Sequence, residues 1–213
     1  LNYIYIDTGA MYRAVTLYAL QNKSVGSKGM MQEKLVPALD NMYITFKYNS
    51  DHHQSETYLN GVNVEKEIRS MQVSKYVSEV SVIKEVRDKL VRLQRRMAES
   101  GGVVMDGRDI GTVVLQEAEL KFFMTADAEV RAKRRFDELR AKSIEVSYNE
   151  VLENVTKRDS IDSTREHSPL KQAADSFVVD NTDLTIDEQF QFILSQVHKK
   201  LEQLDSTKKV SSN

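Results

Sequence analysis

Arginines stand at several places in this sequence where they could bind phosphate. Arg13 follows the turn Asp-Thr-Gly at residues 7–9, and Arg108 lies in the turn Asp-Gly-Arg-Asp at residues 106–109. Two charged segments later in the chain carry Arg131, Arg134, Arg158 and Arg165. A guanidinium group is always charged and can make two parallel hydrogen bonds to one phosphate. Because phosphoryl transfer depends on cations arranged around a polyphosphate, these residues suit that chemistry if the fold brings them together.

Each of these clusters also has an ordinary structural explanation. A charged turn at the end of an apolar strand can be a local salt bridge. The basic segment over residues 128–142 can be a solvated helix face, and the mixed Arg and Asp residues at 157–165 can be an exposed helix end. The clusters favour phosphate binding only when they are considered together.

The segments that must position these residues predict an α/β fold. Short apolar stretches that are typical of strands alternate with stretches of helical period. The predicted strands cover residues 3–6, 103–105, 120–124 and 177–180, and the predicted helices cover 10–22, 71–99 with a break near Val82, 128–142, 148–159 and 185–204. This alternation indicates a parallel sheet covered by helices on both faces. Ligands bind beyond the carboxyl ends of such strands, where Thr8 and Arg108 stand.

A change of period over residues 41–64 predicts a small antiparallel insert. Its segments are rich in β-branched and aromatic residues, and Asn60-Gly61 between two of them is a strong hairpin signal. The predicted strands and connections are 42–48, 56–59 and 62–64, with a loop over 26–29 and a polar turn over 49–53.

The composition excludes several classes of function. The 30 Lys and Arg residues nearly balance the 32 Asp and Glu residues, so no global positive charge calls for nucleic acid or an anionic membrane. The sequence has no cysteine and only four scattered histidines, which makes thiolate and histidine metal sites unexpected. No apolar run approaches the roughly 20 residues of a membrane span. We therefore expect a cytoplasmic monomer without metal-ligating side chains; an RNA-binding role for residues 128–142 is the weakest alternative.

Four motifs of the sequence resemble those of the bacterial cytidylate kinase family. They are DTGAMYR at residues 7–13, DGRDIGTVV at 106–114, RDSIDSTRE at 158–166 and SPLKQA at 168–173. They stand in family order, and the resemblance runs from residue 1 to about residue 200. It implies a P-loop-kinase-like parallel sheet core flanked by helices, with a small antiparallel insert in the monophosphate-binding subdomain and a helical lid.

The resemblance also implies the organisation of the chain. Residues 1–213 form a single nucleoside monophosphate kinase domain, with the monophosphate-binding subdomain inserted at about 24–95 and the lid at about 127–158. The polar residues 205–213 are expected to be a flexible tail.

A substrate-binding role for individual residues follows from the same resemblance. The matching positions are Thr8, Arg13 and Arg108 for the acceptor phosphate, Ser78, Arg87 and Asp109 for the cytosine, and Arg158, Asp162 and Arg165 for sugar and phosphate. The chemistry agrees for Asp109, because a carboxylate accepts a hydrogen bond from the cytosine amino group, whereas UMP has a carbonyl at that position.

The lid arginines complete the implied site. Arg131 and Arg134 match positions on the transferring phosphates of ATP. The residues expected to stabilise the transferring phosphoryl group are Arg13, Arg108, Arg131 and Arg134. The implied reaction transfers a phosphoryl group from ATP, bound with Mg²⁺, to CMP or dCMP.

The family's phosphate-binding loop, Gly-x-x-x-x-Gly-Lys-Ser/Thr, has no match in these 213 residues. Since Leu1 is not Met and already begins a strand, we expect the loop in a segment upstream. Two alternatives stay open: a nucleotide-binding protein without catalysis, should the loop be truly absent, and a kinase for another nucleoside monophosphate.

Overall fold

A computed structural model of the chain describes residues 1, 3–26, 29–51 and 54–211. These residues form two compact units. The first contains Leu1–Val114 and Thr164–Leu170, and the second contains Leu115–Ser163 and Lys171–Asn213. The predicted limits of the subdomain, the lid and the flexible tail stay predictions. Residues 27, 28, 52 and 53, in two of the predicted connections, and residues 212 and 213 of the tail lie outside the described residues.

The first unit is built around a pair of parallel strands and the helices that follow them. Strand β1 (Ile4–Asp7) pairs with β7 (Val103–Asp106), so that Ile4 lies opposite Val103 and Asp7 opposite Asp106. The helices are α1 (Thr8–Gln21), α2 (Gln32–Ala38), α3 (Met71–Ser81) and α4 (Lys84–Ala98). The predicted break near Val82 is confirmed, because α3 ends at Ser81 and α4 begins at Lys84.

Buried faces of these helices form the core of the first unit. On α1, the apolar side chains recur at the spacing of one helix face, and this face packs with those of α3 and α4. The core residues of the three helices include Ala10, Met11, Ala14, Val15, Val73, Val80, Val86 and Leu90. Burial of this face packs α1 against α3 and α4, and α1 directly follows β1 in the chain.

The predicted antiparallel insert is confirmed within the first unit. Strands β4 (Ile44–Asn49), β5 (Gln54–Leu59) and β6 (Val62–Asn63) form an antiparallel sheet. The turn between β5 and β6 places Asn60 at φ 50° and Gly61 at φ 82°. Both angles lie in the left-handed region that a two-residue hairpin of this kind requires. A short hairpin, β2 (Val25–Gly26) with β3 (Gly29–Met30), precedes the insert in the chain.

The second unit contains another pair of parallel strands and the remaining helices. Strand β8 (Phe122–Thr125) pairs with β9 (Phe177–Asp180). The helices are α5 (Ala128–Ala141), α6 (Tyr148–Thr164) and α7 (Ile186–Ser211). Between α5 and α6, the ring of Phe136 meets that of Tyr148 edge-on, with centroids 6.1 Å apart. The described part of the chain contains no helix that is both long and apolar enough to cross a bilayer.

The structure differs from the sequence-based expectation in the exposure of the strands. Ile4 of β1 is 63% exposed and Val104 of β7 is 51% exposed, although both were expected to be buried. In the described residues the parallel strands pair only two by two, so each has an edge and part of a face without a neighbour.

Helix ends also differ from the expectation. Helix α6 continues to Thr164 instead of residue 159, where the hydroxyl of Ser163 donates to the carbonyl of Asp159 at 2.7 Å. Helix α7 continues to Ser211 instead of residue 204, because residues 205–211 contain no Gly or Pro to end it. A π-helical turn over Ile110–Val114 was not expected.

Candidate active site

Two aspartates stand side by side where β1 and β7 end. Asp7 lies opposite Asp106 in the strand register. Asp7 also caps α1, since its Oδ1 accepts a hydrogen bond from the backbone N–H of Ala10 at 2.9 Å. Helix N-termini carry a partial positive charge and free N–H groups. This edge of the first unit therefore combines fixed carboxylates with a helix start.

Electrostatic interactions at this edge perturb two side chains. Partial burial raises the pKa of Asp106, and the negative charge of Asp7 raises it further, while Arg108 opposes the shift. Burial, followed by the charges of Asp106 and Asp7, raises the pKa of Tyr5 above its usual value. Arg69 supplies a compensating charge, because its Nη2 lies 3.4 Å from Oδ2 of Asp7. The negative charges of Asp7 and Asp106 therefore favour a positively charged group at the ends of these strands.

Thr8 links the two strand ends directly. It is buried, and its Oγ1 donates a hydrogen bond to the carbonyl oxygen of Asp106 at 2.6 Å. The bond joins residues 98 positions apart in the chain. The start of α1 and the turn after β7 are therefore held against each other.

Arg13 lies on the next turn of α1 and is held by α3. Its Nη1 donates to Oγ of Ser74 at 2.9 Å and to the carbonyl oxygen of Ile68 at 3.5 Å. These contacts direct the half-buried guanidinium before any ligand is present, which is the condition for electrostatic preorganisation.

Arg87 and Asp109 form a buried ion pair. Nη2 of Arg87 lies 2.5 Å from Oδ2 of Asp109, and Nη1 donates to the carbonyl oxygen of Ser81 at 3.0 Å. The guanidinium also lies 5.5 Å from the ring centroid of Tyr12. Ser78 is half-buried on α3, three residues before Ser81. The structure thus brings the resemblance-implied residues Arg87 and Asp109 into contact.

One donor of this ion pair is unused within the described residues. The Nε atom of Arg87 is buried there without a hydrogen-bond partner. A buried donor without a partner costs about 1–3 kcal/mol. A bound acceptor group would remove that penalty.

Two of the implied site arginines lie in the second unit and make protein contacts. Arg131 binds both carboxylate oxygens of Asp159, at 2.9 and 2.7 Å. Arg134 donates to the side chain of Asn181 at 3.0 Å and to its carbonyl oxygen at 2.7 Å. In this state both guanidinium groups are engaged by neighbouring residues of the same unit.

The remaining implied residues fall into both units. Arg158 and the buried Asp162 of the second unit form an ion pair at 3.7 Å. Arg165 of the first unit is buried, and its Nε donates to the carbonyl oxygen of Ser168 at 2.8 Å. The first unit thus holds Thr8, Arg13, Ser78, Arg87, Arg108, Asp109 and Arg165, and the second holds Arg131, Arg134, Arg158 and Asp162.

The comparison with protein families decides the classification of the chain. A sequence model described as cytidylate kinase matches residues 1–199. The chain belongs to the cytidylate kinase family. The resemblance inferred from the four motifs, and with it the fold class, is confirmed.

Several curated cytidylate kinases support this assignment over most of their length. The chain is 55% identical to the cytidylate kinase of Parabacteroides distasonis over 201 residues, covering 94% of this chain and 88% of that protein. It is 54% identical to that of Flavobacterium johnsoniae over 198 residues, covering 93% and 86%. It is 48% identical to that of Bacteroides fragilis strain ATCC 25285 over 201 residues, covering 94% and 88%.

The structure places residues that sequence reasoning did not assign beside the implied site residues or at the same strand ends. The sequence contains a pattern that could have identified Asp7 and Asp106, since each stands at the end of an apolar strand, where a charge must be exposed or paired. No local sequence pattern could have identified Ser74 and Arg69, because their partners Arg13 and Asp7 lie 61 and 62 residues away in the chain. Only the tertiary structure identifies them.

The described residues include no cluster of three or more His, Cys, Asp or Glu side chains suited to a metal ion. Magnesium is usually held by one or two carboxylates together with substrate phosphates. Asp7 and Asp106, which lie opposite each other at the strand ends, offer carboxylates of this kind, although the sequence led us to expect no metal-ligating side chains.

Proposed function

We propose that this chain transfers a phosphoryl group from ATP to CMP, and to dCMP as a second acceptor, giving CDP or dCDP and ADP. The observation that carries the proposal is the buried Arg87–Asp109 pair with its unused Nε donor, in a chain of the cytidylate kinase family. The pair offers both an acceptor and a donor at a desolvated place, where hydrogen bonds discriminate strongly between bases.

Base recognition would follow from the polarity of the two side chains. The carboxylate of Asp109 would accept from the cytosine amino group, and Arg87 would donate toward the O2 and N3 side of the ring. UMP would place a carbonyl against the carboxylate, so two acceptors would face each other. Ser78 on α3 would contribute to the same base site.

The acceptor phosphate would lie between the strand ends and the start of α1. Arg13 and Arg108 would bind it, with Thr8 at the helix start nearby. Arg158, Asp162 and Arg165 would contact the sugar and phosphate, and Asp162 can accept from ribose hydroxyls. Direct in-line transfer needs no covalent enzyme intermediate, and arginine positioning with charge neutralisation would supply most of the acceleration.

Donor binding would change the contacts of the lid arginines. Arg131 would leave Asp159, and Arg134 would leave Asn181, to contact the transferring phosphates of ATP. Closure of the lid, about residues 127–158, would exclude water and so prevent hydrolysis of ATP. Asp106 would hold Mg²⁺, which when bound neutralises charge on the phosphates.

An assay of ADP release with the product of the full reading frame tests the proposal. CMP, dCMP, UMP and AMP are compared as acceptors with ATP and Mg²⁺. We expect fast turnover confined to the cytidine nucleotides. Absence of turnover in a folded protein would favour a nucleotide-binding protein without catalysis, and a preference for UMP or AMP would favour a kinase for another monophosphate. The monomeric state and the cytoplasmic location stay predictions.

A further inference from the structure

The turn that carries Arg108 and Asp109 is anchored at both ends. At its start, the carbonyl oxygen of Asp106 accepts the hydroxyl of Thr8 at 2.6 Å. At its end, the side chain of Asp109 binds Arg87, and its carbonyl oxygen accepts the N–H of Val113 at 2.8 Å. Only Gly107 and Arg108 lie between the two anchors, so the backbone of this turn has little freedom. A shift of Asp106 would therefore be passed on to Arg108 and Asp109.

The hydroxyl of Thr8 is committed to this contact. A hydroxyl group has one proton to donate, and that of Thr8 goes to the carbonyl of Asp106. The side chain is 3% exposed. A phosphate dianion only accepts hydrogen bonds, so Thr8 could bind it through its hydroxyl only by turning away from Asp106.

Gly107 packs closely against the same hydroxyl. A Cβ atom on Gly107 would overlap Oγ1 of Thr8 and would lie 2.9 Å from Cδ1 of Ile110. Thr8 is β-branched and buried, so it cannot yield as the end of a long side chain would. Glycine is required here for space, since the side chains of Thr8 and Ile110 occupy the place of a side chain.

We propose that Thr8 is a positioning residue for base recognition. Its hydrogen bond to Asp106, packed against Gly107, sets the place of Arg108 and Asp109 relative to α1. The inference rests on the proposed function and gives Thr8 a role that differs from the phosphate contact implied by the resemblance. Loss of the hydroxyl then loosens the anchor three residues before the carboxylate that reads cytosine.

The test compares kcat/KM for CMP and UMP in the full-length protein and three variants. Thr8→Val removes the hydroxyl and keeps the shape of the side chain, whereas Thr8→Ser keeps the hydroxyl. Thr16→Val is the matched control, because Thr16 is equally buried on α1 but its hydroxyl donates within the helix, to the carbonyl of Tyr12 at 2.8 Å.

We expect Thr8→Val to lower the CMP-to-UMP ratio by about tenfold or more, since displacements of about 1 Å can cost a hundredfold. Thr8→Ser and Thr16→Val should keep the ratio of the unmodified protein. If Thr8 served only as a phosphate ligand, both acceptors would lose the same factor, because they carry the same phosphate. An unchanged ratio in Thr8→Val therefore overturns the inference.

Gly107→Ala tests the same contact by a change in Gly107 instead of Thr8. It provides the test of the inference if Thr8→Val fails to fold. The added methyl group must displace the hydroxyl of Thr8, so we expect the same loss of the CMP-to-UMP ratio; an unchanged ratio in folded Gly107→Ala contradicts the inference. Failure of the proposed function is distinguishable, because it would show as a missing preference for CMP in the unmodified protein.

Discussion

Arg87 and Asp109 lie 22 residues apart in the chain and form an ion pair at 2.5 Å, with both side chains more than nine-tenths buried. Both of its side chains are less exposed than those of the pair between Arg131 and Asp159. Charges removed from water in this way make strong hydrogen bonds but must remain paired. The same two residues therefore bear on stability and on base recognition.

Replacing Asp109 should affect both properties. Asp109→Ala leaves the cation of Arg87 buried without its partner, so we expect the free energy of unfolding to fall by about 3–5 kcal/mol. Asp109→Asn keeps the volume and an acceptor oxygen and should cost less. Denaturant unfolding gives the stabilities, and kcat/KM gives the preference for CMP over UMP, which Asp109→Ala should lose.

Two results would contradict this expectation. A stability of Asp109→Ala equal to that of the unmodified protein would mean that Arg87 finds another partner. An unchanged preference for CMP over UMP in Asp109→Ala would refute the role of the carboxylate in base recognition. Lys84→Ala is a control, since Lys84 forms an exposed pair with Asp88 on the same helix as Arg87.

Replacing Ser74 should weaken acceptor binding without unfolding the protein. The hydroxyl of Ser74 accepts a hydrogen bond from Nη1 of Arg13. In Ser74→Ala the guanidinium loses one fixed contact, worth about 1 kcal/mol. We expect KM for CMP to rise severalfold while kcat stays nearly the same. Ser195→Ala, at a half-buried serine of α7 whose hydrogen bonds stay within its own helix, should change neither constant. A fall in kcat alone for Ser74→Ala would assign Ser74 a different role.

The raised pKa of Asp106 predicts a pH dependence of stability. Because the folded state binds the proton more tightly than the unfolded state, stability is greatest below the ordinary value of about 3.9. It is lost as the pH rises from there through the raised pKa of the folded protein. Asp106→Asn should remove this loss and be more stable than the unmodified protein at pH 7. Unfolding by denaturant across that range measures it, and parallel curves for the two proteins would argue against the shift.

Arg131 should be important for turnover but not for folding. Its ion pair with Asp159 is partly exposed, so Arg131→Ala should lower the free energy of unfolding by no more than about 1 kcal/mol. An arginine on a transferring phosphate is worth about 10³-fold or more in kcat, and we expect a loss of that order. Lys133→Ala removes an exposed pair with Asp137 from the same helix and should leave kcat unchanged. Equal effects of the two substitutions would remove Arg131 from the catalytic set.

Local patterns in the sequence were sufficient for most of the elements. The helical period and its interruption near Val82 predicted α3 and α4, and Asn60-Gly61 predicted the hairpin of the insert. Local patterns did not predict features that depend on residues distant in the sequence. The exposure of Ile4 depends on which strands pair, and the π-helical turn at 110–114 depends on anchoring of Asp109.

Local sequence patterns were enough to recognise the motifs, their order in the chain and the arginines that suit phosphate. Each motif is at most nine residues long, so it can be recognised without knowledge of the fold. Which of these residues contact each other depends on the tertiary structure. The contacts of Thr8 with Asp106 and of Arg13 with Ser74 join residues 98 and 61 positions apart. Such pairings depend on how the helices bury their apolar faces, because that packing sets the positions of the polar groups.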